Sequence, residues 1–398
     1  MTQTRREFMA MTAAAGLAAG AGLVVPGLAQ RALAQPGGGG KKNILFLGGT
    51  GFIGPHIVRA LLDAGHTVTL FNRGNRNELF PDLEQITGNR IVDIDPGLTP
   101  LKEAIDSGRQ WDTVIDTANV HTWVENSAGL LKDAAEQYVF TSSMSVYADN
   151  SVIGQDEDGE IATMPDDIAD EIDRLPYDMN YFGAVKARCE AAARRHFGDR
   201  AFVLRPGLIV GPRDFSHRFT YWPWRIRQGG EVLAPGAPDH PLMYLDVRDL
   251  AAFLALNITR GTGGTFNING PATGPITIGR LVNGINDSLN AGADFTWVEG
   301  DWLAQRGVNA WAQMPVWIPP SPGMQGFHRK SIERAVAAGF TSRPLAETVK
   351  DTLAWFDDEY LPLAEERGRP YQPGENAPGI SMEREAALLT EWKEEQAG

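Results

Sequence analysis

The chain has 398 residues, 43% of them hydrophobic, a formal net charge of −14 and a single cysteine, Cys189. That length, less a leader, accommodates one large α/β unit with insertions or two lobes sharing a core. The acidic balance argues against nucleic acid, because phosphate binding needs a basic face, and one cysteine excludes an internal disulfide and any cysteine-based metal cluster.

The first residues read as a targeting segment. Arg5-Arg6 precede an apolar stretch rich in Ala and Gly (Ala10 to Val25), and Ala32-Leu33-Ala34 offer small residues at a cleavage point before Gln35. These three regions predict a signal peptide over 1–34, and the arginine pair predicts the twin-arginine type. A membrane anchor is disfavoured, since the stretch falls short of the ~20 apolar residues that span a bilayer. Residues 35–41 follow as a flexible linker. Export by the twin-arginine machinery suits a protein that folds around its cofactor first, and the expected location is periplasmic or secreted.

The main fold signal is Asn43-Ile44-Leu45-Phe46-Leu47-Gly48-Gly49-Thr50-Gly51-Phe52-Ile53-Gly54. A short apolar run ends in glycines and an amphipathic segment follows, which is strand, tight turn, helix. Gly48, Gly51 and Gly54 are three apart, a close variant of the dinucleotide fingerprint. Gly48 allows the turn, Gly51 lets the backbone approach a pyrophosphate, and Gly54 lets helix pack on strand. The helix dipole and first-turn N–H groups then face the phosphates.

His66 to Phe71 reads as the second strand. An NAD-specific site would place an acid at its end to bind the ribose hydroxyls. Asn72-Arg73-Gly74-Asn75-Arg76 stands there instead, so NADP is predicted over NAD, with guanidinium groups gripping a 2′-phosphate. Ile91 to Ile94 is a plausible third strand, Trp111 to Ala118 the fourth, and Gln137 to Ser143 the fifth. Strands alternating with helical patterns predict an α/β fold, a Rossmann-like doubly wound parallel sheet, with ligands at the carboxyl ends of the strands.

These motifs, with Thr141-Ser142-Ser143-Met144-Ser145-Val146-Tyr147, Gly183-Ala184-Val185-Lys186, Arg205-Pro206-Gly207-Leu208-Ile209-Val210-Gly211-Pro212 and Asp246-Val247-Arg248-Asp249, resemble the extended short-chain dehydrogenase/reductase superfamily. The nearest group is its branch of NAD-dependent epimerases and dehydratases. The likeness runs from about Lys41 to about Tyr360. It implies a nicotinamide cofactor held by Gly48, Thr50, Gly51, Phe52, Ile53, Gly54, Asn72, Arg73, Ala118, Lys186 and Pro206. It also implies a small-molecule substrate whose oxygen is oriented by Ser143. The family often pairs through two helices, so a homodimer is the expectation by analogy.

The catalytic motif departs from the family, in which a tyrosine four residues before the lysine is the acid/base. Four residues is about one helical turn, so the two side chains share a face. Here Phe182 stands at that position and has no proton to give. Three alternatives stay open. Tyr181 acts through an altered helix start; another hydroxyl, Tyr221 or Tyr177, does the work; or the fold holds a nucleotide without the family's turnover. The catalytic set is accordingly Ser143, Lys186 and Tyr181, with redox or epimerase chemistry at a hydroxyl or carbonyl carbon of a sugar-like substrate.

The segment Arg213 to Arg225 interleaves aromatics with arginines and suits an anionic or sugar-like ligand. Ser143, Arg218 and Tyr221 are its candidate substrate contacts, and His217 reads as a hydrogen-bonding surface residue. No histidine has a metal-ligand spacing, so no metal is predicted. The expected division is an NAD(P)-binding domain over 42–212, a smaller substrate-binding lobe over 213–360, and a C-terminal extension over 361–398 ending in a helix.

Overall fold

The computed structural model describes residues 40–172 and 178–398. The proposed leader and Tyr177 therefore lie outside the described residues. β1 (Asn43–Leu47) runs into a turn and α1 (Gly54–Asp63), followed by β2 (Thr67–Asn72), β3 (Gln85–Thr87), α2 (Thr99–Asp106), β4 (Trp111–Asp116), α3 (His121–Leu131) and β5 (Ala135–Thr141). The second half adds α4 (Phe182–Phe197), β6 (Ala201–Pro206), α5 (Tyr221–Ile226), β7 (Gly230–Pro235), α6 (Val247–Arg260), β8 (Gly264–Ile268), α7 (Ile278–Leu289), β9 (Ala293–Val298), α8 (Leu345–Trp355) and α9 (Met382–Ala397). No helix among the described residues is long and apolar enough to cross a membrane.

Seven strands form one sheet in the order β8-β6-β5-β4-β1-β2-β3, every neighbouring pair parallel. The order reverses direction at β1, which puts a crevice between the carboxyl ends of β1 and β4. Successive strand residues face opposite sides. Ile44 and Phe46 join Ile57, Leu61, Leu250 and Leu254 in the layer of α1 and α6. Leu45 and Leu47 join Val124, Leu131, Val185 and Cys189 in the layer of α3 and α4. Both faces are covered, which is why the strands read as continuous apolar runs.

The third strand lies earlier than Ile91 to Ile94. β2 pairs Leu70, Phe71 and Asn72 with Gln85, Ile86 and Thr87, so β3 takes the edge position of the sheet that the later run was expected to fill. Residues 91–94 make local turns, with the Ile94 N–H donating to the Ile91 carbonyl, and Val92 is 51% exposed.

A second core gathers α5, β7, α7, β9, α8 and α9. β7 and β9 pair in parallel. Leu388 and Leu389 of α9 are buried in this lobe. The Glu385 carboxylate of the same helix pairs with Arg225 and accepts the Leu233 N–H at 2.9 Å. The C-terminal helix thus closes the lobe's core.

Two histidines are held in the neutral form by burial. His56 of α1 meets the Pro212 carbonyl at 3.0 Å, and burial lowers its pKa to about 4. His328 accepts the Met243 N–H at 3.3 Å, and burial lowers it to about 3. Below pH 6.5 the unfolded chain takes up these protons and the native chain does not, so stability falls as pH drops from 6.5 toward those values. The loss is on the order of 3 kcal/mol for His56 and 5 kcal/mol for His328 once the folded pKa is passed. Denaturant unfolding from pH 7 to 4 should show this decline, and His56→Gln, which can still donate to Pro212, should flatten it. Equal pH slopes for the two proteins would refute the assignment.

Candidate active site

The glycine turn sits at the carboxyl end of β1. Gly48 and Gly49 have φ of +122° and +84°, a region that favours glycine. A Cβ on Gly54 would fall 2.5 Å from the Gly49 carbonyl carbon, so this glycine lets the helix close onto the turn rather than onto a strand. A Cβ on Gly51 would meet nothing within 4 Å, which leaves the backbone open on that side. α1 begins at Gly54 without a side-chain cap, so its first amides are available to an anion. Thr50, Phe52 and Ile53 complete the loop and are partly or more exposed. This cradle fits a dinucleotide pyrophosphate.

Asn72 and Arg73 follow at the end of β2. The Asn72 amide is engaged, accepting the Gly74 N–H at 2.7 Å and donating to Gln85 at 3.2 Å. Arg73 is exposed and has no ion pair among the described residues. Arg76 donates to the Thr50 carbonyl at 3.4 Å and lies 6.0 Å from the Phe215 ring centre. Arg213 (φ +70°) feels the charges of Arg76 and Arg59 and pairs with Glu359 at 3.4 Å. Guanidinium groups therefore gather beside the glycine turn.

Arg90 was not singled out by the sequence, because it lies in the turn region after β3. Its guanidinium spans the crevice and bonds both the Leu47 carbonyl of β1 and the Asp116 carboxylate of β4. Asp116 is fully buried and also accepts the Tyr138 hydroxyl at 2.6 Å and the Ala118 N–H at 2.8 Å. Burial, with Asp116 alongside, pushes the Tyr138 phenol far up. The ends of β1, β4 and β5 are thus laced together where a ligand would lie.

Lys186 is 2% exposed and points into the same end of the sheet. Its Nζ donates to the Ala118 carbonyl at 2.8 Å, the Thr141 carbonyl at 2.6 Å and the Asn119 side-chain oxygen at 3.2 Å. Three donors meet three acceptors, so a ribose hydroxyl would replace one of them. Burial lowers its pKa to about 8, which leaves it charged at neutral pH. Pro206, also buried, ends β6 opposite Ile268 of β8.

Ser143 follows β5. Its hydroxyl accepts the Ser145 N–H and donates to the Ser145 hydroxyl, both at 3.1 Å. α4 approaches this loop closely: a Cβ on Gly183 would fall 2.0 Å from the Ser145 carbonyl oxygen. Phe182 (φ −51°, ψ −45°) is the first residue of α4, and Tyr181 (φ −94°, ψ 4°) ends a separate 3₁₀ turn, Met179–Tyr181. The direction of Tyr181 is therefore not set by the 100° step of the helix. The tyrosine is half-buried, and its hydroxyl has no hydrogen bond among the described residues.

Tyr221 is not a substrate contact. It is 1% exposed, packed against Trp222 and Trp224, and its hydroxyl takes the Ile380 N–H. The aromatic spacing of Arg213 to Arg225 reflects packing there, because the chain before α9 closes over that face. His217 is likewise buried, caged by Trp355, Phe356, Tyr360 and Tyr371, and is no surface residue. Arg218, by contrast, stays half-buried over the Trp311 ring at 5.0 Å.

Comparison with known proteins agrees with this fold. An epimerase family protein of Bos taurus is 25% identical over 229 residues, 54% of this chain and 69% of that protein. The chloroplast stem-loop binding protein of 41 kDa b of Arabidopsis thaliana is 24% identical over 244 residues, 58% of this chain and 59% of that one. Among solved structures, the Bordetella bronchiseptica enzyme WbmG, in complex with NAD and UDP, superposes with a TM-score of 0.57 at 18% identity, covering 81% of this chain and 96% of its own. The UDP-N-acetylglucosamine 4-epimerase of Bacillus cereus gives 0.57 at 16% identity, covering 79% and 99%. The model of the NAD dependent epimerase/dehydratase family matches residues 44–269. With more than half of its length matched, the chain belongs to the NAD dependent epimerase/dehydratase family.

Proposed function

We propose that this protein is a nicotinamide-dependent oxidoreductase or epimerase acting at a hydroxyl or carbonyl carbon of a sugar-like small molecule. NADP is the preferred cofactor. The protein is exported folded to the periplasm or beyond by the twin-arginine route, and self-association as a homodimer belongs to the same reading. The observation that carries it is the open glycine turn facing the β1–β4 crevice, with Ser143 and Lys186 at the carboxyl ends of neighbouring strands.

A bound nicotinamide would supply the hydride donor and acceptor. The chain's own residues do the rest. The Gly48–Gly54 backbone and the start of α1 would hold the pyrophosphate. Lys186 pins the ends of β4 and β5 and would offer its ammonium to a ribose hydroxyl. Ser143 turns its hydroxyl from Ser145 to the substrate oxygen, and Tyr181 moves the proton.

The first test is cofactor identity. Denaturing protein purified from its exported compartment should release NADP, and added NADP should bind more tightly than NAD. No released nucleotide together with no binding of either would sink the reading. Replacing Arg73 and Arg76 by alanine should weaken NADP roughly ten- to a hundredfold, the worth of one or two charge-assisted contacts, and leave NAD nearly unchanged. Equal losses for both would place these arginines elsewhere than on a 2′-phosphate.

A further inference from the structure

Arg218 holds a charge that the fold does not use. Its Nε donates to the Ser216 hydroxyl at 3.1 Å, while Nη1 and Nη2 have no hydrogen bond or ion pair among the described residues. Among the described residues the charged group acting on it is Asp214, which forms no ion pair with it. Asp214 is 2% exposed, accepts the Ser216 N–H through Oδ1 at 2.9 Å, and leaves Oδ2 buried without a partner. Burial pushes the Asp214 carboxyl up, which weakens it further as a counter-charge. A guanidinium in this state is poised for an outside acceptor.

Its surroundings are shaped for a ring-bearing ligand. Arg218 lies over Trp311, whose φ of +68° is a strained value for a bulky residue. Bonds from the Trp311 N–H to the Met314 and Trp317 carbonyls hold it there. Phe327 stands edge-on to Trp311 at 6.0 Å, and His328 follows it. The Met243 N–H can only donate, so His328 Nδ1 accepts and Nε2 carries the hydrogen. That Nε2 donor is buried and unpaired among the described residues, as is the Gln325 side-chain oxygen. Buried unpaired polar atoms are uncommon and mark a place meant for a partner.

The segment that carries Arg218 adjoins the candidate active site: Phe215, three residues earlier, lies 6.0 Å from Arg76, which donates to the Thr50 carbonyl of the glycine turn at 3.4 Å. We infer that Arg218, seated on Trp311, receives a carboxylate of the substrate, so that the sugar-like ligand is a sugar acid. This rests on the reading of the chain as an enzyme of sugar-like substrates. The shape of the fork selects the anion. One guanidinium with both terminal nitrogens unpaired among the described residues matches a planar carboxylate in a two-point contact.

The test is ligand binding to the mature protein, followed by tryptophan fluorescence. Glucuronate, galacturonate and mannuronate are each titrated against the neutral parent sugar, with UDP as the diphosphate probe. At least one acid should bind about tenfold or more tightly than its parent. Arg218→Met should bring acid and parent to within about twofold of each other, and Arg218→Lys should fall between, since a lysine offers charge without the fork. Equal binding of acid and parent by the wild type, no saturable binding of any acid, or UDP binding tighter than every acid would overturn the proposal. NADP and NAD titrations run alongside keep the readings apart. An Arg218→Met protein that binds cofactor like the wild type is folded, so its acid result stands. A wild type that binds neither dinucleotide defeats the cofactor reading and leaves the sugar result to be judged separately.

Discussion

Replacing Glu190 by glutamine is expected to cost roughly 3–5 kcal/mol of folding stability, the loss typical when one partner of a buried ion pair is removed. Glu190 of α4 and Arg205 of β6 are 2% and 4% exposed and meet in a two-point contact at 2.9 and 2.8 Å. Burial pushes the Glu190 carboxyl up, but the bonds and charge of Arg205 outweigh it and hold it below the usual range. Arg205 also donates to the Tyr147 hydroxyl at 3.1 Å and the Glu157 carbonyl at 3.0 Å, and Tyr147 donates to Asn267 at 2.6 Å. A glutamine fills the same volume yet leaves the guanidinium with a neutral partner in a dry place. Urea unfolding measures the effect, and a loss below about 1 kcal/mol would show that the pair is solvated. The Glu190→Leu, Arg205→Met double variant should recover much of the loss, since apolar residues of similar volume remove the buried Arg205 charge, leaving only the more exposed Arg194, which donates to the same carboxylate at 3.3 Å, without its partner. Recovery will be incomplete, because Tyr147 and Glu157 lose a donor. Because α4 also carries Lys186, the single variant should weaken cofactor binding as well.

This network shows where sequence reading stops. The glycine turn, the strands around it and the lysine helix were legible, because each rests on a local pattern: an apolar run, a turn residue, a helical period. β3 was misplaced because Ile91, Val92 and Ile94 look like a strand, yet β2 finds its partner in the less apolar Gln85–Thr87. Nothing local distinguishes Val92 on the surface from Val114 in the core. Arg90 and Asp116 are 26 residues apart, and only the folded sheet brings them together across the crevice. Arg218 and Tyr221 sit three residues apart in one aromatic stretch, and opposite fates await them. α5 turns Tyr221 inward against the chain that precedes α9, while Arg218 lies before the helix over Trp311. That distinction depends on contacts with Trp311 and with Gly379 and Ile380, far along the chain from either residue.

Tyr181→Phe is expected to lower the rate of hydride transfer by roughly 10²–10⁴-fold, the worth of a positioned general acid or base. Stability and cofactor affinity should change little, because the hydroxyl makes no hydrogen bond within the described fold and the ring's packing against the α3–α4 core is kept. Tyr221 cannot substitute, being sealed beneath the lobe with a phenol that burial holds well above its usual pKa. A Tyr181→Phe enzyme as fast as the wild type would therefore remove Tyr181 and direct attention to Tyr177. Phe182→Tyr supplies the complementary experiment. Position 182 begins α4, four residues before Lys186, so its hydroxyl would stand where the family's tyrosine does. Added to Tyr181→Phe, it should restore part of the lost rate if the 3₁₀ turn merely moved the proton donor by one residue. If the double variant stays as slow as the single one, the surroundings of position 182 no longer admit an acid. The turn ending at Tyr181 would then be the place where this chain's chemistry was rebuilt, with Lys186 held on its three oxygens to support it.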